Sequence, residues 1–163
     1  MNSSESGQER QEAPENEVLT DIRGRIIRAL ARREHSRYEL KVKMTLKSFD
    51  SGLIDRVLDQ LEFESLVSDE RFAEAYCYHR KARGFGPVKI ATELRERQVD
   101  NSLVDRYVDP TMADWFESAS YQREKKFGAS KIKDFADKAK QMRFLYQKGF
   151  TQDQISSAIG EVS

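Results

Sequence analysis

His35, Cys77 and His79 are the residues best suited to nucleophilic or proton-transfer chemistry, and their spacing argues against it. Cys77 and His79 lie two apart within a helical pattern, so their side chains diverge by about 200° around the helix axis. Cys77 reads instead as a small buried hydrophobe. No HExxH or CxxC spacing is present. Asp50, Asp55, Asp100 and Asp105 recur together and raise the question of a metal cluster. The simpler reading places Asp50 and Asp100 as helix caps, with Asp55 and Asp105 near first turns, where the helix dipole favours a negative charge. The stretch GFGPVK, Gly84 to Lys89, lacks the GxxxxGK[ST] spacing of a phosphate loop. It follows a helix rather than a strand, and Pro87 removes a donor amide. No catalytic residue, cofactor or metal is therefore expected. GFGPVK is expected to be a turn that sets the angle between two helices, with direct contact to a partner as the alternative. Gly86 is then a geometric requirement if it has a positive backbone angle or closely approaches another backbone.

The elements around these residues repeat. RYELKVKMTLKSFDSGLIDRVL, from Arg37, aligns with PVKIATELRERQVDNSLVDRYV, from Pro87, at a constant offset. Leu40 falls on Ile90, Met44 on Leu94, Phe49 on Val99, and Leu53 to Arg56 on Leu103 to Arg106. A fainter third copy runs from Lys140 to Ile159, with Leu145, Phe150 and Ile155 in the matching places. A repeat of about 50 residues points to a helical array. Each unit reads as three helices. The chain is expected to be all-α, with a disordered acidic tail over 1–19 and helical repeats over 20–67, 68–110 and 111–163. Ser36 with Glu39 predicts a capping box, Ser68 and Thr151 predict caps, and Gly149 predicts a helix stop. Leu40, Met44 and Leu46 are expected to share a buried face, as are Phe72, Ala75, Tyr76 and His79. The boundary around Ala129 to Asp134 is the least defined by sequence.

The chain of 163 residues balances 28 Lys and Arg against 28 Asp and Glu. That neutrality conceals alternation. Thr20 to Lys47 holds nine basic and three acidic residues, whereas Asp50 to Glu74 holds two and eight. His79 to Arg97 holds six and two, Val99 to Ser118 one and five, and Tyr121 to Lys148 nine and three. Each unit is thus basic early and acidic late. Basic stripes of this kind suit phosphates or an acidic protein groove. Tyr76, Tyr78, Phe85 and Tyr121 lie near the basic stretches, offering base stacking as well as ordinary packing. The candidate partner-binding residues are Arg32, Arg33 and Arg37 in the first unit and Arg80, Lys81, Arg83 and Lys89 in the second. Lys125, Lys126, Lys140 and Arg143 are the candidates in the third. One cysteine excludes an intramolecular disulfide and is compatible with the cytoplasm. No apolar run reaches the length of a membrane span, and the N-terminus does not read as a signal peptide.

Three segments carry a family resemblance. REHSRYEL from Arg33, SDERFAEAYCYHRKARGFGPVKIATEL from Ser68, and KAKQMRFLYQKGFTQDQI from Lys138 resemble, in order, signatures of the RecX family, regulators of the RecA recombinase. The resemblance spans about Ile22 to Ile159 and implies an elongated, curved array of three-helix repeats. It implies a non-enzymatic protein that binds the groove of the RecA filament on single-stranded DNA. Recombinase and co-protease activities would be inhibited, restraining recombination and the SOS response. Some members also contact DNA. The alternative is a nucleic-acid-binding helical module without RecA specificity. The family often has glycine before the aromatic that follows the second helix of a repeat. Here Ser48 and Gln98 stand there, and only Gly149 keeps it. Another residue is expected to take any left-handed turn at the first two helix ends.

Overall fold

The computed structural model describes residues 5–160 in backbone and 14–160 in side chains. Among these the chain forms nine α-helices and no strand. They are α1 (Glu5–Leu30), α2 (Arg37–Leu46), α3 (Ser51–Phe63), α4 (Asp69–Ala82), α5 (Pro87–Glu96), α6 (Asn101–Tyr107), α7 (Ala113–Phe127), α8 (Phe135–Lys148) and α9 (Gln152–Ile159). The chain divides into two compact units, Met1–Phe72 and Ala73–Ser163. The second and third sequence repeats thus share one unit.

In the first unit α1, α2 and α3 enclose a core of Ile22, Ile26, Leu40, Met44, Ile54, Leu58 and Leu61. The caps that start α2 and α3 are the expected ones. Ser36 Oγ accepts from Glu39 N at 3.1 Å, and Ser36 N donates to Glu39 Oε1 at 3.1 Å, completing a capping box. Asp50 Oδ2 accepts from Leu53 N at 3.1 Å. Two expectations change. Leu46 is 79% exposed, because it lies about 200° around α2 from Met44. Helix also begins earlier than a tail over 1–19 would allow, at Glu5, with Val18 and Leu19 packed against the core and Glu15 paired with Arg56. Burial of that apolar pair favours continuing the helix backwards. Residues 1–4 of the expected tail lie outside the described residues.

The second unit buries Ile90, Leu94, Val104, Trp115, Ala119, Leu145, Phe150 and Ile155, with α7, α8 and α9 packed on one another and α5 on α6. Thr151 and Gln154 form a second capping box at α9. Ser68 Oγ accepts from Arg71 N at 3.1 Å at the start of α4. Along α4 the buried side chains are Phe72, Ala73 and Cys77, whereas Tyr76 is half-buried and His79 exposed. The buried face is therefore rotated from the one expected. The ill-defined stretch between α7 and α8 is held by Arg123, only 8% exposed. Its Nε donates to Gln141 Oε1 and its Nη2 to the Ser130 carbonyl, both at 2.8 Å. Ile132, 1% exposed, anchors the same stretch.

The second helix of each repeat ends alike. Phe49 N donates to Met44 O at 3.3 Å, Val99 N to Leu94 O at 3.1 Å, and Phe150 N to Leu145 O at 3.2 Å. These are three copies of the Schellman closure, each followed by a side chain packed inward. The residues in the left-handed position are Ser48 (φ 65°), Gln98 (φ 54°) and Gly149 (φ 95°). Ser48 and Gln98 themselves make the turn, contrary to expectation, because the closing bond and apolar packing outweigh a left-handed penalty of about 1–2 kcal/mol. Both side chains are exposed, so little is lost by removing them. Ser48→Gly and Gln98→Gly are expected to stabilise by about 0.5–1 kcal/mol each after the added unfolded-state entropy of glycine. Thermal unfolding of the double variant should show a higher midpoint, and a lower one would contradict strain at these ends.

Candidate functional site

Two glycines and a proline build the site. Gly86 precedes α5 and Pro87 occupies its first turn. Gly86 N donates to Lys148 O at 2.8 Å, and Val88 N donates to Gly149 O at 2.9 Å. Amides at the start of α5 thus satisfy carbonyls at the end of α8, groups a helix cannot pair within itself. A Cβ on Gly86 would stand 2.5 Å from the Gly149 carbonyl carbon and oxygen and 2.6 Å from Phe150 N. Gly86 has φ −93°, open to any residue, so close backbone approach is what requires glycine here. Gly84 supplies the left-handed turn, at φ 92°. GFGPVK is therefore a turn between helices, as expected, and also a splice between the second and third repeats.

The splice brings Lys89 and Lys148 to one ring. Lys89 Nζ and Lys148 Nζ each lie 4.9 Å from the centroid of Phe85, and Arg80 Cζ lies 3.7 Å from it. The arrangement continues through the third repeat. Lys148 Nζ is 5.7 Å and Lys126 Nζ 6.0 Å from the Phe144 ring. Phe144 packs edge-on against Phe127 at 5.3 Å, and Lys140 Nζ lies 5.9 Å from the Phe127 ring. Each cation over a ring contributes about 0.5–1 kcal/mol at an exposed position. The rings hold the ammonium groups without neutralising them.

Charge accounting separates these groups. Arg80 is matched: its Nη2 is 2.9 Å from Glu93 Oε1, and Glu93 also accepts from the Tyr76 hydroxyl. Burial, then that bond to Glu93, pushes the Tyr76 phenol up to about 12. Among the described residues, no carboxylate pairs with Lys89, Lys126, Lys140 or Lys148. Four like charges beside half-buried rings repel one another, and an incoming polyanion relieves that repulsion.

Of the candidates named from sequence, Arg80, Lys89, Lys126 and Lys140 are brought together here. Lys125, Arg143 and Arg83 are exposed, as are Arg32 and Arg33 in the first unit. Arg33 pairs with Glu39 at 3.0 Å. Arg37 and Lys81 are likewise committed to their own chain. Arg37 meets Asp59 at 2.7 Å and Glu62 at 3.1 Å, tying α2 to α3. Lys81 pairs with Asp114 and lies 4.5 Å from the Trp115 ring. Lys148, Phe127 and Phe144 were missed by sequence reasoning. A lysine beside a helix stop reads only as a complement to the helix dipole. Tyr78 and Tyr121 are 71% and 62% exposed, leaving their faces open.

Cys77 is buried, and its thiol donates to the Tyr107 carbonyl at 3.3 Å. Burial pushes its pKa up to about 11. At pH 8 this suppresses the thiolate by about 100-fold relative to an ordinary cysteine near 9. Native protein should therefore react with a disulfide reagent at least about 50-fold more slowly than unfolded protein. Comparable rates would contradict a buried thiol. Among the described residues, no group of three or more potential metal ligands converges, and no helix is long and apolar enough to cross a membrane.

Three family profiles match the chain in order: RecX first three-helix domain over 23–61, second over 68–107 and third over 113–159. The regulatory protein RecX of Halorhodospira halophila is 40% identical over 137 residues, covering 84% of this chain and 85% of that protein. The regulatory protein RecX of Vibrio campbellii is 35% identical over 133 residues, covering 82% and 86%. The crystal structure of RecX from Lactobacillus salivarius superposes with a TM-score of 0.74 at 18% identity, covering 88% of this chain and 96% of that one. A second crystal structure, of a regulatory protein RecX, gives a TM-score of 0.75 at 16% identity, covering 92% and 76%.

Proposed function

Because the chain belongs to the RecX family, we propose that it binds the RecA filament on single-stranded DNA, as a regulatory protein rather than an enzyme. It sits in the filament groove and inhibits recombinase and co-protease activities. Recombination and the SOS response are thereby restrained, in the cytoplasm. The observation that carries this reading is the set of four lysines around Phe85, Phe144 and Phe127, none in a salt bridge among the described residues. Such a surface attracts a negatively charged partner, and a nucleoprotein filament presents many negative groups in a repeating array.

The chemistry required is occupancy alone. Several weak contacts on one chain act together because each holds the others at high effective concentration. A filled groove excludes duplex DNA or a cleavable repressor. Pull-down of the protein on one single-stranded DNA, with and without RecA, tests the reading. Retention is expected to rise at least tenfold when the filament is present at moderate salt. Equal retention on bare DNA would remove RecA from the proposal and leave a plain nucleic-acid-binding module.

A further inference from the structure

Two flanks of α8 lie outside the core, and the lysines use one of them. Lys140, Phe144 and Lys148 recur there at spacings of four. Phe135, Ala139, Met142 and Tyr146 recur at spacings of four, three and four on the other flank, about 170° away around the helix axis. Buried Gln141 and Leu145 lie between the two. The second flank is apolar yet open. Phe135 is 79% and Tyr146 73% exposed, Ala139 is exposed and Met142 half-buried. Its spacing is that of a coiled-coil seam, whose apolar side chains pack against a facing helix. At the Tyr146 end the stripe runs into a groove of about 770 Å³ between α5 and the turn from α8 to α9. Val88, Thr92 and Glu96 of α5 line this groove together with Tyr146.

We propose that this stripe pairs with the same stripe of a second copy of the chain, antiparallel, in an isologous dimer. A two-fold axis between positions 140 and 141 sets Phe135 beside Tyr146 of the second copy and Ala139 beside Met142 of the second copy. Small thus faces large at the centre, as interdigitating side chains require. At each end the Phe135 ring enters the other copy's groove, where an aromatic side chain takes about 150–250 Å² out of water. The ends match in charge as well. Lys131 and Lys133 precede Phe135, and Glu96 lines the groove beyond Tyr146. All three are exposed, and none forms a salt bridge among the described residues. The carboxylates beside the lysines are turned onto the start of α8. Asp134 Oδ1 accepts from Asp137 N at 2.8 Å, Asp137 Oδ2 from Lys133 N at 3.2 Å and Asp137 Oδ1 from Gln141 Nε2 at 3.1 Å. Glu96 ends α5, where the helix terminus already carries about half a negative charge, so a cation is favoured there. Antiparallel pairing brings the lysines of each copy towards Glu96 of the other; parallel pairing would not. The lysine flank of α8 stays uncovered, so the dimer presents it twice. A repeating partner then meets two linked surfaces, which raises retention without any new contact.

The test needs neither RecA nor DNA. Sedimentation velocity of the full chain is measured from about 1 to 200 μM, a range that spans weak self-association. The parent's mass should rise from that of one chain towards that of two. Phe135→Glu and, separately, Tyr146→Glu should each weaken association at least tenfold, because an isologous interface counts every change twice. Both side chains are exposed, so folding is expected to survive, and circular dichroism checks it. Lys131→Glu/Lys133→Glu should weaken association about tenfold at low salt, and so should Glu96→Lys. The triple variant carrying all three changes should regain most of the parent's association, a rescue that a merely structural role would not give. The proposal is overturned if the parent keeps the mass of one chain throughout, which would leave the stripe to the helix of another protein. It is also overturned if either ring substitution leaves association unchanged, or if the triple variant stays as weak as the separate reversals. The filament reading is decided separately, by pull-down of Phe135→Glu, whose lysines are untouched. Loss of self-association with RecA-dependent retention intact would support two independent faces on α8.

Discussion

Gly86→Ala is expected to destabilise the second unit by about 3 kcal/mol, and Gly86→Val by more. The added Cβ meets backbone, at 2.5 Å from the Gly149 carbonyl, and backbone cannot rotate away as a side chain can. The two helices must separate, which strains or breaks the bonds from Gly86 N to Lys148 O and from Val88 N to Gly149 O. Two weakened bonds at about 0.5 kcal/mol each, added to overpacking of about 2 kcal/mol, give the estimate. For a unit of this size the unfolding midpoint should fall by roughly 15 °C. Alanine is the informative substitution because φ −93° is open to it. If Gly86 served only to widen the turn's backbone angles, alanine would cost little. Gly149→Ala should behave similarly, since its Cβ would lie 2.3 Å from Lys89 Cβ at a positive φ. Gly24→Ala is the control: its Cβ meets only the Arg28 guanidinium at 3.4 Å, and within a helix it should be neutral or stabilising by up to about 1 kcal/mol. An unchanged midpoint for Gly86→Ala would refute the splice.

Reversing charge at Lys126, Lys140 and Lys148 together is expected to weaken RecA-filament binding by about 100-fold at low salt, with helicity unchanged. Three ammonium groups that form no salt bridge among the described residues become three carboxylates, so attraction to a polyanion turns to repulsion. The parent's binding should fall steeply between low and high salt, and that of the variant should be weak and nearly flat. Arg37→Ala gives the contrast. Its partners are Asp59 and Glu62 of the same unit, so its loss should lower stability and leave the filament contact of the second unit intact. Binding of the triple variant equal to the parent's at both salt concentrations would remove this surface from the interface.

Local order was legible in the chain because its causes are local. Ser36 with Glu39, Thr151 with Gln154, and Asp50 and Asp100 cap helices through contacts two or three residues away. Those pairs read directly as Ser-x-x-Glu and its relatives. The repeat was legible for the same reason, since each unit solves the same packing problem with apolar residues at the same offsets. The left-handed ends at Ser48 and Gln98 were not, because propensity points away from them and only the Schellman bond and the apolar residue that follows enforce the turn.

By itself, the sequence determined the helical units, the caps of α2, α3, α6 and α9, the threefold repeat and the alternation of charge, all properties of short windows and their periodicity. Tertiary structure alone decided which cations act together. Arg37 and Lys81 look the same in sequence as Lys126 and Lys140, yet two are matched by carboxylates of their own unit and two are not. It also decided that Gly86 must be glycine. That requirement comes from the carbonyl of Gly149, far along the chain, and a steric limit imposed by a distant backbone leaves no trace in the residues beside it.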